Sequence, residues 1–217
     1  MQRRSRFGYR WSAALLMAPF LAACGTVPDA PRPFAHLEAT PRAIRTTHGV
    51  RLTLRSPSGF RLAGPTHRTA EFDGHPYEVS LAAFLGSDEA VMVHAERVAD
   101  RSGASNYQNL PAADWPGAGF RRRGYCVAVT PEMVAAEHDL NWLRGHGWDP
   151  AGNVAAVQYL ATTPDFNEEV VVSLLVRNVD CGDPDSVERA TAALRARVEV
   201  EAAGVETAPS PDRPTGR

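Results

Sequence analysis

One apolar segment of the sequence is interrupted by two polar side chains. His94 and Glu96 are two residues apart, so on a β-strand both face the same side, beside Met92. Imidazole and carboxylate groups are ligands that suit zinc or copper. His94 with Glu96 is therefore our best candidate for a functional polar pair.

A metal site would need more ligands from other segments. His138 and His146 are eight residues apart, with Asp139 and Asp149 near them. None of these residues shows HxH or HExxH spacing, and several segments would have to converge. We therefore expect no metal and no cofactor, and interpret these histidines as surface or hydrogen-bonded side chains.

The most distinctive stretch of the chain is residues 139–150, with two Trp, two Gly, a His and two Asp. We expect it at the end of a helix, with at least one of its Trp residues packed into the core, because a Trp buries a large apolar area. Its exposed side chains would then form a recognition surface. The candidate binding surface comprises Trp142, Arg144, His146, Trp148, His94 and Glu96. Trp115, in a long loop, could add to it.

The predicted folded domain contains two cysteines, Cys126 and Cys181, which are too far apart in sequence for a C-x-x-C redox pair. In an oxidising compartment an even pair favours a disulfide. Such a bridge closes a loop of about 55 residues and contributes on the order of 4 kcal/mol of stability.

The first residues are typical of a secretory signal. An Arg-rich start is followed by 13 mainly apolar residues, Trp11 to Ala23, which end in Leu21-Ala22-Ala23-Cys24. This ending resembles the lipobox of bacterial lipoproteins. The resemblance implies cleavage before Cys24, a diacylglycerol on its sulfur and acylation of the new amino group. Gly25 in the position where Asp typically retains lipoproteins in the inner membrane favours the outer membrane.

The chain divides into four predicted segments: a signal peptide (1–23), a lipidated Cys with a Pro-rich tether (24–47), a globular domain (48–203) and a disordered tail (204–217). Alternating apolar residues predict a hairpin over 77–98 and strands near 50–54, 60–63, 119–129, 153–162 and 169–179. The run from Val170 to Val176 is apolar on both faces, which indicates a central strand.

Two helices are predicted. One begins after Thr130 as N-cap with Pro131 and ends at Gly145; the other begins at Asp183-Pro184. The order of these elements predicts an α+β fold with a largely antiparallel sheet of about six or seven strands and two main helices.

Composition excludes several functions. All 23 basic residues are Arg, and the chain after residue 23 carries a net charge of −6, which disfavours nucleic acid as a partner. No Gly-rich phosphate loop or G-x-S-x-G motif is present. The sequence therefore predicts a lipid-anchored, periplasm-facing envelope protein, attached to a bacterial membrane and favouring the outer one. We favour a non-enzymatic module that binds an envelope protein or a ligand. The alternative is a metal-assisted hydrolase built on His94, Glu96, His138 and His146.

Overall fold

The computed structural model describes residues 34–115 and 119–205. These residues form ten strands: β1 (Leu37–Thr40), β2 (Ala43–Thr46), β3 (Val50–Arg55), β4 (Arg61–Phe72), β5 (His75–Leu85), β6 (Glu89–Val98), β7 (Arg121–Val129), β8 (Gly152–Thr162), β9 (Glu168–Arg177) and β10 (Val200–Val205). The same residues contain three helices: α1 (Pro131–Ala136), α2 (His138–Gly145) and α3 (Pro184–Arg195). The strands form two antiparallel sheets, a small one ordered β1-β2-β3-β10 and a large one ordered β4-β5-β6-β9-β8-β7.

The larger of two main cores lies on one face of the large sheet, here called the inner face. Strand alternation sends Val91, Val93 and Ala95 of β6 to this face, where they are fully buried. Leu52 and Leu54 of the small sheet and Leu194 of α3 belong to the same apolar cluster. The small sheet and α3 therefore cover the inner face.

A second apolar cluster lies on the opposite face of the large sheet, here called the outer face. Met92 and Leu175 from this face pack with Val134 of α1, Leu143 of α2 and Trp148. The alternation that buries Val93 on the inner face therefore places Met92, His94 and Glu96 together on the outer face.

The architecture confirms the antiparallel sheet and corrects the rest of the predicted class. The protein is mostly β, with two sheets in place of one. The helix expected from Thr130 to Gly145 is two helices, because Glu137 adopts extended angles (φ −90°, ψ 121°). The Thr130 cap itself is confirmed, with its hydroxyl accepting a hydrogen bond from Met133 N at 3.3 Å.

The predicted tether is wrong over its second half. Residues 37–46 form β1 and β2, which bury Leu37 and Ile44 against the domain, and Pro41 lies in the turn between them. β10 likewise extends to Val205, beyond the expected domain end at residue 203. The predicted signal peptide, Cys24, Gly25 and residues 206–217 lie outside the described residues.

Other predictions are confirmed. β5 and β6 form the expected hairpin, and β9 lies in the centre of the large sheet between β6 and β8. Cys126 and Cys181 form a disulfide, with their α-carbons 5.4 Å apart. Among the described residues, no helix has both the length and the apolar character to span a membrane.

Candidate functional site

Two glutamates face each other across neighbouring strands on the outer face. Glu96 of β6 is directly opposite Glu169 of β9 in the antiparallel register. Both are almost fully buried, with 7% and 2% of their surfaces exposed. Two carboxylates so placed repel each other unless a proton is shared between them.

The long loop after β6 covers this glutamate pair. Ser105 and Tyr107 of the loop approach the Glu169 carboxyl group, and the Ser105 hydroxyl donates to the Tyr77 hydroxyl at 3.4 Å. Glu169 Oε2 nevertheless has no hydrogen-bond partner. A buried carboxylate oxygen without a partner is costly in a folded protein and usually has a functional or ligand-related explanation.

Burial and mutual repulsion make the pair hold a proton. Burial, followed by the charge of Glu96, raises the pKa of Glu169 to about 8. Burial also raises the pKa of Glu96. Near neutral pH the pair therefore holds a proton that the two carboxyl groups share.

A second polar chain borders the pair. His94 Nε2 lies 3.1 Å from Asp139 Oδ2, and Arg68 donates to Asp139 Oδ1, also at 3.1 Å. His138 Nδ1 is 3.2 Å from the same Oδ1 atom. The helix break at Glu137 places Asp139 in the first turn of α2, which puts its carboxylate over the outer face.

The Asp139 carboxylate sets the charge state of His94. Burial alone would lower the pKa of His94, but the hydrogen bond to Asp139 and the charges of Asp139 and Glu96 raise it. Burial alone would raise the pKa of Asp139, but His94 and Arg68 hold it well below its usual range. Asp139 is therefore ionised and fixes the imidazole in place.

One cavity of about 540 Å³, which we call the acidic cleft, is lined by Glu96, Glu169, Tyr107, His94 and Asp139. It lies between the loop and α2 and is bounded by the two polar chains, with Asp73 and Arg123 also contributing to its wall. Arg123 donates to Gln158 at 2.6 Å. Its walls also include the aromatic rings Phe72, Tyr77 and Tyr107. The volume is that of a site for a small ligand.

The predicted binding surface is divided by the fold. His94 and Glu96 lie in the acidic cleft. Trp148 is buried, as expected for one of the two Trp residues, while Trp142 is half-buried and packs on His146 with ring centres 4.3 Å apart. Arg144 is exposed and donates to Asn141 at 2.7 Å. As expected, the stretch lies at the end of a helix: residues 139–145 belong to α2, and residues 146–150 follow it.

Trp115 does not extend this surface, contrary to our expectation. It is buried on the inner side, with its ring centre 3.8 Å from that of Tyr159 and with Arg195 over its face. Pro116, the next residue of the loop, lies outside the described residues. Trp115 packs on Tyr159 of β8, whose side chain points to the inner face. The sequence of the loop does not predict this contact.

The four residues of the metal hypothesis do not share one site. His94 and Glu96 line the acidic cleft and His138 reaches its edge through Asp139, but His146 Nδ1 is 2.9 Å from the Trp142 carbonyl. Within residues 34–115 and 119–205, no three His, Cys, Asp or Glu side chains are arranged to hold a metal ion.

Sequence reasoning missed Glu169, Tyr107 and Arg68 as members of the site. Glu169 precedes an apolar run that indicates only a central strand, and its partnership with Glu96 depends on the register of β6 against β9. A search for acidic residues within predicted central strands would have found Glu169, because a carboxylate is rarely buried without a reason.

Comparison of the chain with protein-family models, with curated proteins and with solved structures finds no match. The functional argument therefore rests on the site itself.

Proposed function

We propose that this chain is a lipid-anchored envelope protein whose acidic cleft binds a small cationic ligand through Glu96 and Glu169. The observation that carries the binding proposal is the unpartnered Oε2 atom of Glu169, buried at the wall of a cavity. A ligand that donates a hydrogen bond to Oε2 removes the free-energy cost of leaving this buried oxygen without a partner.

An ammonium group fits the pair better than a neutral donor does. Two buried carboxyl groups ionise together only when a positive charge offsets their repulsion and their loss of water. The aromatic rings of Tyr77 and Tyr107 at the cleft add surfaces that attract cations. Binding then releases the shared proton to solvent.

The alternative of a metal-assisted hydrolase has less support. Its proposed ligands are separated. His94 contacts Asp139 in the first turn of α2, whereas His146 lies at the opposite end of that helix. The acidic cleft contains a histidine held by an aspartate, but the described part of the chain places no Ser or Cys nucleophile among the residues that line the cleft.

A thermal-shift experiment tests the cleft. Ethanolamine should stabilise the protein at matched ionic strength. Choline keeps the positive charge but has no N–H donor, and ethylene glycol has neither, so both should stabilise the protein less. The double variant Glu96→Gln/Glu169→Gln should lose the ethanolamine effect. The control Glu199→Gln/Glu201→Gln removes two exposed carboxylates at the start of β10 and should keep the ethanolamine effect. An equal response of both double variants would refute the cleft as the site.

The anchor is tested separately. The Cys24→Ala variant should lack acyl groups by mass spectrometry and either leave the membrane fraction or remain as the uncleaved precursor, because two or more acyl chains are what hold a lipoprotein firmly. A variant that still fractionates with membranes after signal removal would contradict the lipoprotein proposal. A matched control is Cys126→Ala/Cys181→Ala, which removes the disulfide but leaves the predicted lipid site.

A further inference from the structure

A second cavity opens beside the acidic cleft and differs from it in chemistry. It has a volume of about 610 Å³ and lies on the outer face, between the sheet and helices α1 and α2. Its walls are mainly apolar, with Met92, Val127, Met133, Leu140, Trp148 and Leu175. We call this space the apolar pocket.

The two cavities are adjacent and share part of their wall. Phe72, His94, Asp139 and Gln158 line both of them. The Asp139–His94 hydrogen bond therefore stands at the boundary, with carboxyl groups on one side of it and aliphatic side chains on the other. An elongated ligand that occupied both spaces would pass these four side chains.

The mouth of the apolar pocket carries an independent sign of a missing apolar partner. Among the described residues, two large hydrophobic side chains are exposed, Phe72 at 42% and Tyr125 at 45%. Both line the apolar pocket, although they come from β4 and β7 at opposite edges of the large sheet. Exposed apolar groups that converge on a single cavity mark a binding site more often than scattered ones do.

We propose that the ligand is a cationic amphiphile, with its ammonium group between Glu96 and Glu169 and its hydrocarbon chain in the apolar pocket. This inference rests on the proposed function of the acidic cleft and adds the apolar half of the ligand. The chain passes Phe72, which packs edge-on against Tyr77 at the cleft and faces the apolar pocket on its other side.

Isothermal titration calorimetry with butylamine and octylamine tests whether the hydrocarbon chain of the ligand binds in the apolar pocket. The probes differ by four methylene groups, and each buried methylene strengthens binding about fourfold, equivalent to about 0.8 kcal/mol. Octylamine should therefore bind up to ~200-fold more tightly. The protein is the full chain after signal removal, with Cys24→Ala so that no acyl group competes for the pocket.

Variants at the mouth separate the two halves of the ligand. Tyr125→Ser should reduce octylamine affinity at least ~5-fold and leave butylamine binding unchanged, since Tyr125 lines the apolar pocket but not the acidic cleft. Tyr125→Phe, which keeps the aromatic surface, should bind octylamine like the wild type. Unchanged octylamine affinity in the serine variant would overturn the placement of the chain.

The outcomes distinguish this inference from the proposed function. If butylamine and octylamine bind equally, the amphiphile is refuted and the acidic cleft stands. If octanoate binds as tightly as octylamine, the ammonium contact is refuted and the proposed function fails with it. Vesicles identify the source: sedimentation with phosphatidylethanolamine but not phosphatidylcholine vesicles supports a membrane lipid with a primary amine, whereas binding of octylamine alone supports a free amphiphile.

Discussion

Glu168 and Glu169 are adjacent on β9, and strand geometry sends their side chains to opposite faces of the large sheet. Glu168 Oε2 accepts the backbone N–H of Gly49 at 2.5 Å, and its Oε1 accepts from Arg97 at 2.9 Å. Glu169 faces another carboxyl group and keeps one oxygen without a partner. The same residue type therefore has two environments, one satisfied within the protein and one not.

The two environments shift the pKa values of the two carboxyl groups in opposite directions. Burial alone would raise the pKa of Glu168, but the Gly49 N–H and Arg97 lower it. Burial and Glu96 raise the pKa of Glu169 to about 8. We infer that Glu168 fastens the small sheet to the large one, while Glu169 is left available for a ligand.

The largest expected effect is the pH dependence caused by Glu169. Its raised pKa means that the folded state keeps a proton which the unfolded state loses above about pH 4.5. Stability from this group is complete below that pH and falls at about 1.4 kcal/mol per pH unit until pH 8. Urea denaturation at pH 5 and 8 should show the wild type losing up to ~4 kcal/mol more than Glu169→Gln.

The pKa of His94 is also raised, but His94 is present in both proteins, so its contribution largely cancels in the comparison. Glu169 also faces Glu96, Tyr77 and Tyr107. The midpoint of the pH profile therefore belongs to these residues together. Parallel pH profiles for the wild type and Glu169→Gln would contradict the shared proton.

Removing Glu168 should have the next largest effect. Glu168→Ala leaves the Gly49 N–H without its acceptor and Arg97 without its nearest carboxylate, which should cost about 1–3 kcal/mol at pH 7. Glu168→Gln keeps an acceptor oxygen for Gly49 and should cost less. Glu169→Gln should be nearly neutral or stabilising at that pH. If the Glu169 variant were the less stable one, the assigned roles would be reversed.

Gly49→Ala perturbs Glu168 without removing it. A β-carbon at this position would lie 2.6 Å from Glu168 Oε2 and 2.9 Å from Thr163 Cγ2, so the carboxylate must move away from its N–H partner. We expect a loss of about 1–2 kcal/mol in urea denaturation, with the ethanolamine response retained. Gly145→Ala is the control, because its β-carbon meets no atom within 4 Å.

The sequence reveals the parts of this comparison that depend on local periodicity. Period-two alternation alone places His94 and Glu96 on one face, and the β5–β6 hairpin follows from its turn. The pairing of Glu96 with Glu169 joins strands 73 residues apart, and local patterns do not determine that register.

Other features depend on tertiary packing. β1 and β2 are four residues each among prolines, so their composition suggests a tether, yet Leu37 and Ile44 are buried by packing against the core. The helix break at Glu137 involves neither Gly nor Pro, the usual signals for a helix end. Asp139 reaches His94 through that break, so the pairing of these two residues could not be predicted from local sequence patterns.

The smallest effect concerns His48, which connects the two environments. His48 Nε2 is 2.9 Å from the Glu169 carbonyl, while its ring packs near His36, Glu168 and Arg97. Burial lowers the pKa of His48, so below about pH 6.5 the unfolded state binds a proton that the folded state does not bind. Its contribution to stability is present above that pH and is lost as the pH falls, which is opposite to Glu169.

Replacing His48 should therefore flatten the acid side of the stability profile. Between pH 7 and 5.5 the wild type should lose more stability than His48→Gln in urea denaturation, by up to ~1 kcal/mol. If His48→Gln follows the wild type, the imidazole titrates as freely in the folded chain as in the unfolded one. The satisfied side of β9 would then be open to water, and the contrast between Glu168 and Glu169 would rest on their hydrogen bonds alone.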